Sequence, residues 1–217
     1  METNQTHATH AQASPEVPLR AVALVCTLSP SPARSSSQLL AEQTMAALAD
    51  HGVTGKVIRV VDHDVKPGVG VDMGDGDAWP GIRDTILGAD ILVISTPIWL
   101  GHPSSVAQKV MERLDAELSE SDDEGRPLTY GKVAAVCVVG NEDGAHKVSA
   151  DMFQGLNDLG FSLAPGAVTY WVGEAMQGTD YHDLDSTPKS TAETTATLAA
   201  HTSHLARRLK AAPYPAP

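Results

Sequence analysis

Hydroxyl side chains are concentrated in one short stretch near the beginning of the chain. Residues 27–38 contain Thr27, Ser29, Ser31, Arg34, Ser35, Ser36 and Ser37. A helical pattern follows from about residue 37, and the first amides of a helix are free donors with a partial positive charge. Hydroxyls, a guanidinium and helix N-terminal amides together suit a phosphate monoester. An ordinary serine-rich turn with a helix cap is the alternative interpretation.

A second stretch, residues 96–105, reads Thr-Pro-Ile-Trp-Leu-Gly-His-Pro-Ser-Ser and follows the apolar run 91–94. We expect the strand to end at Thr96-Pro97, because proline donates no backbone hydrogen bond. Three large apolar side chains then follow in a predicted loop: Ile98, Trp99 and Leu100. They form an apolar wall for a flat ring, or else Trp99 merely fills the core. Gly101 allows the backbone to approach a ligand closely.

A third polar stretch follows another apolar run, 132–139. It contains Gly140, Asn141, Glu142, Asp143, Gly144, Ala145 and His146. Asn141 and the amides near Gly144 can hydrogen-bond the polar edge of a ring. His102 and His146 either hydrogen-bond the same ligand or its substrate, or are ordinary polar loop residues. A flat heteroaromatic ring with a phosphate tail describes flavin mononucleotide (FMN).

Strand and helix patterns alternate five times along the chain. The predicted strands are 19–26, 56–61, 91–94, 132–139 and a fifth within 161–168, and the predicted helices are 37–50, a short one from 77, 104–120, 148–159 and 191–209. Such alternation predicts an α/β fold, a three-layer sandwich with a parallel sheet and helices on both faces. For five strands the flavodoxin-like order 2-1-3-4-5 is favoured, with a ligand crevice at the carboxyl ends of the first and third strands. The three polar stretches all border that crevice.

The composition restricts the choice of partners and compartment. The net charge is -12 in 217 residues, which argues against nucleic acid and anionic membranes as main partners. No apolar run approaches the roughly 20 residues of a membrane-spanning helix. Residues 1–18 are polar and without a signal-peptide pattern, so we predict a flexible tail, a single domain over 19–217 and a cytoplasmic location.

Neither the cysteines nor the acidic loops have the spacing of a metal site. Cys26 and Cys137 each lie in an apolar run and are predicted to be buried. Residues 62–80 are predicted to form a solvated surface loop, since Asp72, Asp75 and Asp77 lack the spacing of an EF-hand. No metal is therefore predicted.

From residue 19 to about residue 172 the chain resembles the flavodoxin-like family of NAD(P)H-dependent FMN reductases. The resemblance depends on the serine-rich loop, on Thr-Pro-Ile-Trp-Leu-Gly-His-Pro-Ser-Ser and on Gly-Asn-Glu-Asp-Gly at 140–144. It implies a bound FMN, with the phosphate on the serine loop and the ring between the other two loops. The implied FMN-binding residues are Ser29, Arg34, Ser35, Ser36, Ser37, Pro97, Ile98, Trp99, Leu100, Gly101, His102, Asn141, Glu142, Asp143, Gly144 and His146.

The family resemblance also implies an activity. NADPH or NADH delivers hydride to N5 of the flavin, which passes electrons to a small-molecule acceptor. The protein itself then needs no catalytic acid or base. Members of the family are commonly homodimers or homotetramers, with the flavin near a subunit interface.

Two other classes of protein remain open at the level of the sequence. A flavodoxin-type electron carrier suits the acidic charge, which favours docking to a basic redox partner, but rarely needs an extension such as residues 171–217. A flavin-free binding protein that kept the fold and lost the site is the other alternative.

Overall fold

A computed structural model of the chain describes residues 18–175 and 177–216. The predicted tail at 1–18 lies outside these residues except for its last position, so both the tail and the domain limits stay predictions. Within the described ranges, no helix has the length and apolar character needed to cross a membrane.

The strands are β1 (Leu19–Val25), β2 (Val53–Arg59), β3 (Ile91–Trp99), β4 (His102–Pro103), β5 (Val133–Gly140) and β6 (Ser162–Val172). The sheet order is β2-β1-β3-β5-β6, with parallel pairing throughout. β4 stands outside this path as a short antiparallel partner of β3. With β5 and β6 as the predicted fourth and fifth strands, the flavodoxin-like order is confirmed.

The helices are α1 (Ser36–Ala49), α2 (Trp79–Leu87), α3 (Ser105–Leu114), α4 (Ala145–Asp158) and α5 (Lys189–Ala211). They cover the sheet on two sides, because alternate residues of each buried strand point to opposite faces. In β1, Val22 and Leu24 pack with residues of α2, α3 and α4, whereas Ala23 and Val25 pack with residues of α1 and α5. The three-layer sandwich is therefore confirmed.

The prediction that β3 ends at Thr96-Pro97 is wrong. Pairing of β3 with β1 stops at Ser95, but pairing with β5 continues to Pro97 opposite Val139. Pro97 is tolerated because its strand has already lost one neighbour and is locally an edge. β3 continues to Trp99, and two residues, Leu100 and Gly101, separate it from β4.

Two other element boundaries differ from the predicted ones. The helix predicted over 104–120 is α-helical only to Leu114, and a 3-10 turn over Asp115–Ser119 completes it. That turn buries Glu117, whose carboxylate accepts a hydrogen bond from Arg83 Nε at 2.5 Å. Residues 170–172, predicted to be irregular, belong to β6 and pair with the end of β5.

The segment 62–80 is more firmly anchored than a solvated loop. Asp77 and Arg113 form an ion pair of 2.8 Å, and both side chains are fully buried. The Asp77 carboxylate also accepts the backbone N–H groups of Lys66, Met73 and Trp79. The sequence prediction missed this anchor because Arg113 is distant in sequence, on α3.

Candidate functional site

A cavity of about 360 Å³ opens at the carboxyl ends of β1, β3 and β5. This is the position predicted from the strand order. Its lining consists of Thr27, Leu28, Ser29, Arg34, Ser35, Ser36, Ser37, Pro97, Ile98, Trp99, Val139, Gly140, Asn141, Glu142, Trp171, Asp180 and His182. The cavity thus brings together members of all three polar stretches identified in the sequence.

The serine loop leads directly into α1. Ser35 is the N-cap, and its hydroxyl accepts the N–H of Gln38 at 3.2 Å. The amides of Ser36 and Ser37, in the first turn, have no intrahelical acceptor. Ser37 is held in place by Ser95 of β3, whose hydroxyl donates to the Ser37 carbonyl at 2.7 Å. The loop end of the cavity therefore offers hydroxyls, amides and the positive end of a helix dipole.

Arg59 and Asp62 at the end of β2 fix the conformation of the serine loop. Arg59 donates to the Ala33 carbonyl at 2.8 Å and to the Gln38 side chain at 3.0 Å. Asp62 accepts both the N–H and the hydroxyl of Ser31, at 2.8 and 2.6 Å, and these hydrogen bonds lower the pKa of the Asp62 carboxyl. Ser31 is thus committed to the loop itself and lies outside the cavity lining.

The apolar wall of the cavity comes from the end of β3. Pro97, Ile98 and Trp99 line it, and Trp99 is 55% exposed. The alternative in which Trp99 fills the core is therefore wrong; the fully buried tryptophan is Trp79. After Trp99 the chain reverses through Leu100 and Gly101, both with positive φ, as a two-residue hairpin to β4.

Asn141 and Glu142 line the opposite side of the cavity, after β5. Asn141 Nδ2 donates to Asp180 at 3.1 Å. Its Oδ1 is buried and has no hydrogen-bond partner within the described part of the chain. This atom lies against Gly173, since a Cβ built on Gly173 would be 2.5 Å from it, and a buried acceptor without a donor is destabilising. Glu142 accepts the N–H of Gly101 at 3.2 Å and so connects this loop to the hairpin.

Six predicted residues lie outside the cavity lining: Leu100, Gly101, His102, Asp143, Gly144 and His146. Gly101 and Gly144 approach each other, since a Cβ on Gly144 would lie 2.8 Å from the Gly101 Cα. The glycines therefore allow two loops to touch, where the sequence suggested a ligand. His102 contacts Lys147 at 3.1 Å, and His146 contacts the Tyr170 hydroxyl at 3.2 Å. A role of these six in cofactor binding stays a prediction.

Sequence reasoning missed the contribution of the segment after β6. Asp180 and His182 line the cavity more than 140 positions after the serine loop. Ser36 Oγ lies 2.8 Å from His182 Nδ1, and Arg34 donates to Asp183 at 2.7 Å and to the His182 carbonyl. This segment was predicted to be irregular, and no local pattern within it indicates which loop it contacts. The other lining residues not predicted are Thr27, Leu28, Val139, Gly140 and Trp171.

Asp180, His182 and Asp183 also bring ligand-type atoms within 4.8 Å of one another. Asp183 is already paired with Arg34, so this grouping is partly neutralised. The absence of a metal stays a prediction.

The residues present fit a flavin with a phosphate tail. The serine end supplies donors and positive charge for an anion, and Pro97 to Trp99 supply an apolar surface for a planar ring. Asn141, which also lines the cavity, has a buried acceptor without a donor among the described residues.

Comparison with known proteins agrees with this geometry. The chain is 36% identical over 206 residues to the 8-demethyl-8-aminoriboflavin-5'-phosphate synthase of Streptomyces davaonensis, covering 90% of this chain and 80% of that protein. A crystal structure of RosB with bound 8-demethyl-8-formylriboflavin-5'-phosphate superposes with a TM-score of 0.82 at 36% identity, over 90% of this chain and 82% of that one.

A divalent metal cation transporter, MntH, of Mycobacterium bovis is 38% identical over 172 residues, or 77% of this chain. The chain spans 25% of that protein's length, so the likeness concerns one part of it. The family model described as NADPH-dependent FMN reductase matches residues 19–177. The chain therefore belongs to the NADPH-dependent FMN reductase family.

Proposed function

We propose that the protein binds FMN in the cavity at the carboxyl ends of β1, β3 and β5 and acts as an NAD(P)H-dependent oxidoreductase. One observation carries the proposal: a single cavity of about 360 Å³ has anion-binding groups at one end and an apolar wall with an unsatisfied acceptor at the other. This is the polarity of a flavin nucleotide, and membership of the family supports the same assignment.

In this proposal the protein's own residues bind and orient the FMN. Ser29, Ser35, Ser36, Ser37 and Arg34 hold the phosphate, with the first amides of α1 as further donors. Pro97, Ile98 and Trp99 pack on the ring, and Asn141 Oδ1 accepts a ring N–H. Bound FMN supplies the redox chemistry, accepting hydride from NADPH or NADH and passing electrons to a small-molecule acceptor.

Exposed apolar side chains at the cavity mouth support access by a second planar molecule. Leu28 and Trp99, which line the cavity, are 45% and 55% exposed, and Leu100, which follows Trp99 outside the lining, is 89% exposed. Large apolar side chains clustered at a site entrance favour docking of a ligand or a second subunit. We therefore also propose a homodimer or homotetramer assembled near the flavin, which sedimentation equilibrium with and without FMN tests. The location is proposed to be cytoplasmic.

The first test is the visible spectrum of the purified full-length protein, before and after FMN addition and dialysis. We expect retained oxidised flavin that bleaches when NADPH or NADH is added anaerobically. Retained flavin that stays oxidised supports the electron carrier instead. Absence of retained flavin, with no thermal stabilisation by added FMN, overturns the cofactor assignment.

Substitutions test whether flavin retention depends on the residues of the cavity. Asn141→Ala removes the unsatisfied acceptor and is expected to weaken FMN retention by about tenfold. Asn157→Ala is the matched control, because Asn157 lies on α4 outside this cavity and its side-chain amide donates to the Phe161 carbonyl at 3.4 Å. Equal retention by the two variants contradicts the assigned ring position.

A second candidate function is chemical modification of the flavin itself. It is favoured by the 36% identity, over 90% of the chain, to an enzyme named for making an 8-amino flavin phosphate. In that case the same cavity holds flavin phosphate as substrate, and the product leaves. Mass spectrometry of the flavin after aerobic incubation with an amine donor, which supplies nitrogen while O2 is the oxidant, separates the two: an unchanged FMN mass supports the reductase, and a changed mass supports modification.

A further inference from the structure

We infer that His182 is a recognition residue for the flavin 5'-phosphate, supplied by the segment after β6 to face the serine loop. The inference rests on the proposed function, because it assigns a residue to the phosphate end of FMN. It adds to the serine loop a group that the sequence patterns did not indicate. The geometry that carries it is the contact of His182 with Ser36 together with its place in the cavity lining.

The hydrogen bonds around His182 define which ring nitrogen is available. The backbone N–H of His182 donates to Ser36 Oγ at 3.4 Å, and Ser36 Oγ lies 2.8 Å from His182 Nδ1. The Ser36 hydroxyl can donate one hydrogen bond while its oxygen accepts that N–H, and we assign it as the donor to Nδ1. The neutral ring then carries its proton on Nε2.

The Nε2 proton has no close acceptor of its own in the residues described. The nearest carboxylate oxygen, Asp183 Oδ1, lies 3.6 Å away, which is beyond a normal hydrogen bond. The same oxygen already accepts from Arg34 Nη1 at 2.7 Å. His182 is only 18% exposed, so a donor is held in place at the serine end of the cavity, beside the guanidinium.

The distribution of charge around the cavity indicates which end takes the phosphate. Arg34 and His182 lie together at the serine end, next to the N-terminus of α1. Of the carboxylates that line the cavity, Glu142 accepts the N–H of Gly101, whereas Asp180 accepts from Asn141 and lies within 4.8 Å of His182 and Asp183. The attraction for an anion at this end therefore comes from Arg34 and the N-terminus of α1, and His182 adds a hydrogen-bond donor beside them.

The test compares FMN with riboflavin, which lacks the phosphate. Dissociation constants are measured by flavin fluorescence for the full-length protein freed of flavin, for His182→Asn and for His182→Gln. The asparagine amide reaches the Nδ1 position and keeps the Ser36 contact, but it lacks a donor at the Nε2 position. The glutamine amide is long enough to place one there. The control is His204→Asn, on the exposed side of α5 and outside the cavity lining.

We expect His182→Asn to weaken FMN binding by about tenfold, as for loss of one hydrogen bond to a charged group, with riboflavin affinity unchanged. His182→Gln should recover part of the FMN affinity, and His204→Asn should behave as the wild type. Equal losses for FMN and riboflavin assign His182 a purely structural role and overturn the inference. Unchanged FMN affinity in His182→Asn overturns it too, while FMN binding by the wild type keeps the proposed function intact. Failure of the wild type to bind FMN overturns both.

Discussion

Two arginine–aspartate pairs in this protein have nearly the same length and opposite surroundings. Arg113 and Asp77 lie 2.8 Å apart with both side chains fully buried, and Arg113 also stacks over Trp79 with 5.5 Å to the ring centroid. Arg34 and Asp183 lie 2.7 Å apart at the rim of the cavity, with side chains 67% and 40% exposed. The first pair is surrounded by backbone partners, and the second by solvent and an open cavity.

The difference shows that a buried ion pair fixes the structure around it, whereas an exposed ion pair can exchange one partner for a ligand. Arg113 further donates from its two terminal nitrogens to the carbonyls of Lys66, Gly70 and Val71, so its guanidinium fixes residues 62–80. Removing one partner of such a pair leaves an uncompensated buried charge. An exposed pair contributes little to stability, so the Arg34 guanidinium can exchange its carboxylate for a phosphate at small cost.

The largest expected effect is on the buried pair. Asp77→Asn should lower the free energy of unfolding by about 3–5 kcal/mol, because it leaves the buried Arg113 without its counter-charge. Urea denaturation followed by circular dichroism measures this. Asp75→Asn, in the same segment but exposed, is the matched control and should change stability by less than about 0.5 kcal/mol. Equal effects of the two substitutions would mean that the ion pair does not anchor the segment.

The same pair predicts how stability depends on pH. Burial alone would raise the pKa of Asp77, but hydrogen bonds from Met73, Arg113, Trp79 and Lys66 hold it well below its usual value. Because the folded pKa lies below the unfolded value of about 3.9, this stability is fully present above that pH. It is lost as the pH falls below about 4 toward the folded pKa.

Urea titrations between pH 2 and 6 should therefore show a steeper acid loss in the wild type than in Asp77→Asn. Asp62 and Asp122, whose pKa values are also lowered, remain in both proteins, so the difference reports Asp77. Parallel pH profiles would contradict the assignment.

The exposed pair should respond in the opposite way, with a small effect on stability and a larger one on binding. Arg34→Met should change the free energy of unfolding by no more than about 1 kcal/mol. It should weaken FMN binding by roughly tenfold or more, because a hydrogen bond between charged groups is lost. Riboflavin affinity, measured by the same fluorescence titration, should stay unchanged. A large stability loss in Arg34→Met would place this pair in the same class as Arg113 and Asp77.

The fold class and strand order could be predicted from the sequence because the patterns that indicate them are local in the chain. The apolar runs of β1, β3 and β5 and the alternation with helices predict the sheet and its order without knowledge of distant contacts. The errors arose where a neighbour elsewhere in the chain decides the outcome. Pro97 stays in β3 because β1 has already ended beside it, and residues 170–172 are strand because β5 pairs with them.

The site residues that directly follow a strand were predictable from the sequence, and those brought in by distant contacts were not. The serine loop, Pro97 to Trp99 and Asn141 follow directly after strands that end at one edge, so their meeting is a consequence of the sheet order. Asp180 and His182 belong to the segment between β6 and α5, where a short 3-10 helix spans Tyr181–Asp183. Contacts with Ser36, Arg34 and Asn141 fix their positions. Composition carries no signal for such contacts. The burial of both cysteines was predicted correctly, since Cys137 lies within the apolar β5 and Cys26 directly follows the apolar β1. Burial raises the pKa of Cys137 to about 12.

The smallest predicted effect tests whether Asp183 competes with the proposed phosphate for Arg34 or instead orients Arg34 for it. In the structure Asp183 occupies the Arg34 guanidinium that the proposed phosphate needs, and it adds negative charge beside a dianion. Asp183→Asn should therefore tighten FMN binding by about two- to fivefold, within the energy of an exposed ion pair, and leave riboflavin affinity unchanged. Calorimetric titration at two salt concentrations measures this, and the gain should shrink at high salt because exposed charges are screened. Weaker FMN binding in Asp183→Asn would instead mean that the carboxylate orients Arg34, and that the exposed pair is as fixed as the buried one.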